Sequence, residues 1–367
     1  MSQPSRIRSA EKERISTCML ADRIARISID KCREVFPEVC SGQTVVASII
    51  LQDSRDLLEV VSLGIGTKFM QLGNISGSSF EKIKDCHAEI LARRAFNRFV
   101  IDEIKSASGV WFERVDGSFK IRDGVRIHFY VSSQPCGNAC IRKWAKSKKE
   151  VFNETLADRQ IPSDVHERML GHAIKEGQFS LTFKKDSTFS LQPDASTSSE
   201  AVLPDGITWF KSGAGSILSC SDKIALWNAY GLLKVPVSTV CDRLDMSSIT
   251  IGRKFVREHT RRAICCRLKD AHHPVIMCSA LKLDESTFAS DEEAAVFGKT
   301  CGMWTSRRGV EQLEPKTGLK VNGEVSAFST ARMTLDVADL GLTDSNLSEY
   351  AAIKKAHARA YLEAVSV

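Results

Sequence analysis

His87 and Glu89 in Cys86-His87-Ala88-Glu89, taken with the later Pro135-Cys136-Gly137, admit few folds. A neutral imidazole and a thiolate are good ligands for Zn²⁺, and a site with three protein ligands leaves a fourth position open for water. Bound zinc lowers the pKa of that water to roughly 7, so hydroxide is available at neutral pH. A glutamate two residues past the histidine can sit beside the water without ligating the metal, and can therefore carry protons. A purely structural zinc site has no use for such a carboxylate and closes its fourth position. The chain must fold so that two segments far apart in sequence meet at one point.

The spacing leaves the third ligand to be found. A second cysteine three residues after Cys136 would suit a simple site, but that residue is Ala139. Cys140 lies one step further and points about 100° around a helix from the required direction. Cys220, in Leu218-Ser219-Cys220-Ser221-Asp222-Lys223, stands beside an expected helix start and is the better candidate. Cys140, Cys265, Cys266 and the other thiols read as small buried hydrophobes. His87 and Cys136 are both expected in the first turn of a helix, where the partial positive charge favours thiolate and hydroxide.

Local patterns suit an α/β layered domain. The stretch up to about Phe36 reads as a charged helix with apolar positions Ile15, Leu20, Ile24, Ile27 and Val35. Residues 45–51 and 57–63 read as strands, with Gly64-Ile65-Gly66 as a turn after them. A helix is expected to begin near Asp85, a good N-cap, and to run through Phe99. Residues 125–131 read as a buried strand, and Pro135 opens a further helix, where its missing N–H costs nothing. Residues 185–206, rich in Ser, Thr, Asp and Pro, read as an insertion loop. A helix at 221–230, a strand near Ile249, a basic helix at 254–267 and a last helix at 347–364 complete the pattern. There is no internal repeat, and the division expected is an N-terminal helical extension, 1–40, ahead of one main domain, 41–367.

Composition narrows the class. Hydrophobic content of 43% and charged content of 26% describe an ordinary soluble globular chain. The net charge of +6 and pI near 8.7 are a mild basic excess that suits a polyanionic partner. Twelve cysteines follow an N-terminus without an apolar signal core, which points to a reducing, intracellular location, cytoplasmic or nuclear, with free thiols. No apolar run approaches the ~20 residues needed to cross a bilayer. No obligate protein partner is evident.

The chain resembles the family of RNA adenosine deaminases, which includes the double-stranded RNA editing enzymes and the tRNA-specific adenosine deaminases. Four blocks carry the likeness: Val61-Ser62-Leu63-Gly64-Ile65-Gly66-Thr67-Lys68, Asp85-Cys86-His87-Ala88-Glu89-Ile90-Leu91-Ala92-Arg93-Arg94, Ser132-Ser133-Gln134-Pro135-Cys136-Gly137, and Ser219-Cys220-Ser221-Asp222-Lys223-Ile224-Ala225-Leu226-Trp227-Asn228. H-x-E followed later by P-C is also the zinc-deaminase pattern. The resemblance implies a cytidine-deaminase-like three-layer α/β/α sandwich with helical additions. It implies zinc on His87, Cys136 and Cys220, Glu89 as proton carrier, Thr67 at the substrate, and hydrolytic conversion of adenosine to inosine. It further implies inositol hexakisphosphate buried behind the zinc, on Lys68, Arg93, Arg94, Lys223, Trp227, Lys355 and Tyr361. A relay through Lys223, Asp85 and Lys211 would join that anion to the active site. Leu226 stands where the family has arginine, and Asn138 where it has aspartate.

Within the family, the chain reaches the core by about residue 44, which leaves no room ahead of it for a double-stranded-RNA-binding domain. Its N-terminal helix, with Ala21-Asp22-Arg23-Ile24-Ala25, resembles the tRNA-specific members. The substrate so implied is an adenosine of a tRNA anticodon loop, at position 37 of an alanine tRNA. An unpaired loop base is cheap to flip into a pocket. Charges in Lys254-Phe255-Val256-Arg257-Glu258-His259-Thr260-Arg261-Arg262 and in Arg307-Arg308 would either meet phosphates or form solvated faces. The rival readings are an editing domain for duplex RNA and a non-catalytic, zinc-stabilised RNA-binding subunit. Glu89 argues against the second.

Overall fold

The computed structural model describes residues 3–37, 44–70, 80–136, 139, 182–184, 207–209, 219–255, 257–261, 263–264, 272–281, 283 and 301–340. Helix α1 (Gln3–Val35) precedes strands β1 (Val46–Gln52) and β2 (Leu58–Ile65). A ribbon of β3 (Thr67–Phe69) and β4 (Asp85–His87) leads directly into α2 (Ala88–Ser106). The hairpin β5 (Phe112–Val115) and β6 (Ser118–Ile121) is followed by β7 (Arg126–Ser133). Strands β8 (Thr182–Lys184) and β9 (Ile207–Trp209) pair with each other on either side of the expected insertion, which itself lies outside the described residues. Then come α3 (Cys220–Tyr230), a single turn Val235–Ser238, β10 (Ser248–Arg253), α4 (Arg257–Arg261) and β11 (Val275–Cys278). Strands β12 (Cys301–Thr305), β13 (Gly309–Glu314) and β14 (Leu319–Lys320) lead to α5 (Thr330–Ala338).

Eight strands form one mixed sheet in the order β11-β10-β7-β1-β2-β12-β13-β14. The β7, β10 and β11 strands run parallel, and the other neighbours are antiparallel. Strand β1 is buried at every position because both faces are covered, so its sequence shows no polar alternation. Its alternate residues divide between two cores. Ala47, Ile49 and Leu51 join Phe129, Phe96 and Trp227 on the side of α2 and α3, while Val46 and Ile50 join Ile24, Ile29, Phe36 and Tyr130 on the side of α1. The result is the α/β/α sandwich expected of the sequence. Among the described residues helix α1 covers one face of the sheet, pinned by Asp22, whose Oδ1 accepts from Ser279 Oγ (2.7 Å) and Ala280 N (2.8 Å).

Two local expectations are corrected. Gly64 and Ile65 belong to β2 and do not form a turn. A Cβ on Gly64 would lie 2.4 Å from Ala92 N and 2.5 Å from Ala88 O, so the glycine is what lets the first turn of α2 lie directly on the sheet. Gly66, at φ +141°, makes the bend from β2 into β3 and has no room for a side chain against Cys86 O. Likewise α2 starts at Ala88, with His87 as N-cap and no side-chain cap. Pairing of β4 with β3 holds Asp85 to His87 extended and overrides the capping preference of Asp85.

On the α1 side His128 is buried and joins three strands. Its Nε2–H donates to Gln52 Oε1 (2.8 Å), and its Nδ1 accepts from Ser248 Oγ (2.7 Å). The Gln52 amide is oriented by Nε2–H donation to Asp56 (3.1 Å), which assigns the tautomer. Burial pushes His128 down from 6.5 to about 4, with Arg126 adding to the shift. The folded state therefore binds fewer protons than the unfolded state between those values. Stability attributable to this neutral ring is complete above pH 6.5 and is lost as pH falls toward 4, by about 3 kcal/mol in total. Urea unfolding of wild type across pH 4–7 should show this slope, and His128→Gln should flatten it while lowering stability at pH 7.

Among the described residues no helix is long and apolar enough to cross a membrane.

Candidate active site

Three ligand atoms converge from three elements. His87 ends β4, Cys136 follows β7, and Cys220 is the first residue of α3. Their donor atoms all lie within 4.8 Å of one another. Cys220 Sγ is 3.3 Å and Cys136 Sγ 3.9 Å from His87 Nδ1. Tetrahedral zinc with bonds of about 2.1 Å to nitrogen and 2.3 Å to sulfur needs ligand atoms about 3.5–3.8 Å apart, so this donor set fits the ion.

The expected helix-start argument needs revision in part. Neither His87 nor Cys136 is inside a helix: His87 is an extended N-cap, and Cys136 sits in a bend. The help to Cys136 comes instead from Cys220, whose backbone N–H donates to Cys136 Sγ at 3.3 Å. Cys220 itself does occupy the positive end of α3, an eleven-residue helix capped by Ser219, whose side chain accepts from Asp222 N.

Glu89 lies in the first turn of α2 and is 3% exposed. Its place is set by the extended-to-helix change at His87 and by Gly64 beneath the turn. Thr67 pairs directly with His87 across the β3–β4 ribbon and is half-buried beside it. Phe69, on the same face of that ribbon, has its ring centroid 6.2 Å from that of His87.

Sequence reasoning missed several residues that hold this arrangement. Ser221 accepts from Ala139 N (3.2 Å) and donates through Oγ to Cys136 O (2.7 Å), tying the Cys136 loop to α3. Gln134 donates its side-chain amide to Ala139 O and Thr260 Oγ1, both at 2.8 Å. Cys86, next to His87, turns away from the cluster and donates to Cys301 of β12; this hydrogen bond and burial hold its proton on. That same bond, with N–H groups of Lys68 and Thr67, draws Cys301 below its usual value. Ser and Gln beside a strand end carry no distinctive signal, and the Cys86–Cys301 contact depends on sheet order.

Behind α2 and α3 lies a group of half-buried cations. Arg93 donates to Leu232 O (2.6 Å) and Leu233 O (2.8 Å), and its guanidinium lies 5.0 Å from the Trp227 ring centroid. Arg94 donates to Phe328 O (3.0 Å), and both Arg94 and Lys234 reach Thr330 Oγ1, at 3.4 and 3.0 Å. Lys223 bonds and pairs with Asp85, whose other oxygen accepts from His87 N (3.1 Å). Asp85 and Lys223 are thus in contact, while Lys234, which the motifs did not single out, meets Arg94 at Thr330. Lys68 is exposed on β3, unlike Arg93 and Arg94. Leu226 packs against the core beside Trp227. Lys211, Lys355, Tyr361, Asn138, Cys140 and the expected C-terminal helix lie outside the described residues.

Comparison with known proteins agrees with this geometry. The family model described as the adenosine-deaminase (editase) domain matches residues 62–361. The chain is 31% identical over 262 residues to the double-stranded RNA-specific adenosine deaminase of Mus musculus, covering 67% of this chain and 21% of that protein. It is 28% identical over 266 residues to the double-stranded RNA-specific editase Adar of Drosophila melanogaster, covering 68% and 36%. It is 27% identical over 223 residues to the tRNA-specific adenosine deaminase 1 of Schizosaccharomyces pombe, covering 58% and 50%. The chain thus spans between about a fifth and a half of these relatives. With its sandwich fold and its His-Cys-Cys cluster beside a buried glutamate, the chain belongs to the adenosine-deaminase (editase) domain family.

Proposed function

We propose that this protein deaminates adenosine to inosine in RNA by zinc-dependent hydrolysis, and that its substrate is an unpaired adenosine of a tRNA anticodon loop. The observation that carries the reaction is the meeting of His87, Cys136 and Cys220 beside buried Glu89. His87 Nδ1 and the two Sγ atoms hold the metal. When bound there, zinc supplies the Lewis acidity that makes a water nucleophilic near neutral pH. Glu89 takes a proton from the attacking water and delivers it to the purine ring nitrogen; it then moves the proton of the added hydroxyl to the amino group, so that the carbonyl forms as the C–N bond breaks and ammonia departs. Its burial excludes competing solvent, and its place in the first turn of α2 keeps it close to His87 without making it a ligand. Thr67, across the ribbon from His87, holds the target nucleoside.

The half-buried Arg93, Arg94 and Lys234, with Lys223 already paired to Asp85, fit a polyanion, since cations gathered in a partly dry site favour a multiply charged partner. We assign them to inositol hexakisphosphate. Mass spectrometry of acid-extracted protein is expected to release one inositol polyphosphate per chain; its absence from a folded preparation would remove this assignment.

Support for tRNA comes from the Ala21-to-Ala25 stretch of α1 and from the low cost of flipping an unpaired base. The second reading is deamination within duplex RNA, favoured by the 31% identity to the mouse relative named for that substrate. Incubation with total tRNA and, in parallel, with long duplex RNA, followed by sequencing for inosine, separates the two. Inosine confined to a tRNA loop is the expected result, and inosine confined to the duplex selects the alternative.

A further inference from the structure

Two basic segments of the sequence compete as phosphate-binding surfaces, and their surroundings differ. Arg307 pairs with Glu103 (2.6 Å) and Arg308 with Asp102 (2.7 Å), at the far end of α2. Asp102 is about 20 Å along the helix axis from His87, so both arginines are tied into a structural ion network remote from the metal ligands.

The segment after β10 is placed otherwise. Strands β7 and β10 are parallel neighbours, so their C-terminal ends share one edge of the sheet, the edge where α/β folds bind ligands. Ser133 is paired with Arg253, and Gln134 N donates to Arg253 O at 3.0 Å, two residues before Cys136. The Gln134 side chain also donates to Thr260 Oγ1 of α4, at 2.8 Å. Lys254 and α4 are thereby fastened to the loop that carries a metal ligand. Lys254, Arg257 and Arg261 are all exposed there. Residues 253–262 hold five Lys or Arg against one acid, Glu258. Lys254 also adopts φ +58°, a left-handed conformation that glycine would take with less strain.

We propose that Lys254 and Arg261 form a rail that binds phosphates of the RNA strand flanking the target nucleotide; this rests on the reading of the substrate as RNA. Arg257, between them in sequence, lies over the Phe255 ring and donates to Ile276 O at 3.3 Å. A flipped base leaves its neighbouring phosphates at the mouth of the pocket, and cations fixed to the Cys136 loop meet them there. Such contacts add affinity that weakens with salt, without reading sequence.

The test is binding of a fluorescein-labelled anticodon stem-loop RNA, followed by anisotropy over a range of salt concentrations. Each phosphate contact to a single strand contributes about 0.7 to the slope of log affinity against log salt. The double variant Lys254→Ala/Arg261→Ala is expected to be shallower by about 1.4 and to bind roughly tenfold more weakly near 0.1 M salt. Lys254→Gly separates charge from backbone, because glycine relieves the left-handed strain. It is expected to keep or raise the melting temperature and still flatten the slope by about 0.7. Unchanged slopes in both variants overturn the rail. Inosine formation by wild type on the same RNA is scored separately: deamination with unchanged slopes sinks the rail alone. Flattened slopes without any inosine keep the rail and sink the tRNA-loop reading of the substrate.

Discussion

Glu89→Gln is expected to keep its zinc and lose deamination. The substitution preserves size and leaves His87, Cys136 and Cys220 untouched, so metal content should stay at one per chain. What disappears is a group that can accept a proton, since an amide is not basic. Proton transfer by a placed side chain contributes roughly 10²–10⁴-fold, and here it is needed at the water, at the ring nitrogen and at the leaving amine. The loss should therefore reach or exceed the upper end of that range. The buried position adds to the argument: at 3% exposure, bulk water has little access to substitute for the carboxylate. Single-turnover assays on the RNA that wild type deaminates, paired with metal analysis of the same preparation, give the answer. Turnover within tenfold of wild type, with zinc present, would sink the role given to Glu89.

The chemistry of this site was legible in the sequence because its residues come in short motifs. His87, Glu89 and Cys136 announce themselves, and Cys220 follows from the helix start beside it. The strands were legible where β-branched residues run together, as in β1 and β7. The faces were harder, since β1 is buried on both and shows no alternation. Asp85 illustrates a local rule overruled by a partner: its capping preference lost to pairing with β3, which comes from a segment before it. Gly64 reads locally as a turn because glycine usually marks one; its actual reason, the backbone of α2 lying 2.4 Å from where a Cβ would be, is a packing fact. For Arg307 and Arg308 the sequence leaves phosphate contact and a solvated face both open, because their partners Glu103 and Asp102 stand more than two hundred residues earlier. Such long-range contacts leave no trace in local composition.

Cys220→Ala should be as damaging as Glu89→Gln, by a different route that metal analysis reveals. Cys220 is fully buried, and its sulfur is 3.3 Å from His87 Nδ1. Its main-chain N–H also supports the Cys136 sulfur, and that bond survives the substitution. The variant should therefore fold with two donors in place. Two protein donors are too few for a tightly held zinc, which takes three in catalytic sites. Zinc per chain is expected to fall from one to near zero, with activity at background. The melting temperature should fall too, because an ion bound at 100 times its dissociation constant stabilises the native state by about 2.7 kcal/mol. The control is Cys86→Ser. Cys86 adjoins His87 in sequence but bonds toward Cys301 and Ile83 O, away from the cluster. It should retain its zinc, as should Cys140→Ala, since His87, Cys136 and Cys220 already supply the three donors. Full zinc in Cys220→Ala together with loss in either control would reassign the third ligand and with it the open position where water and adenine must meet.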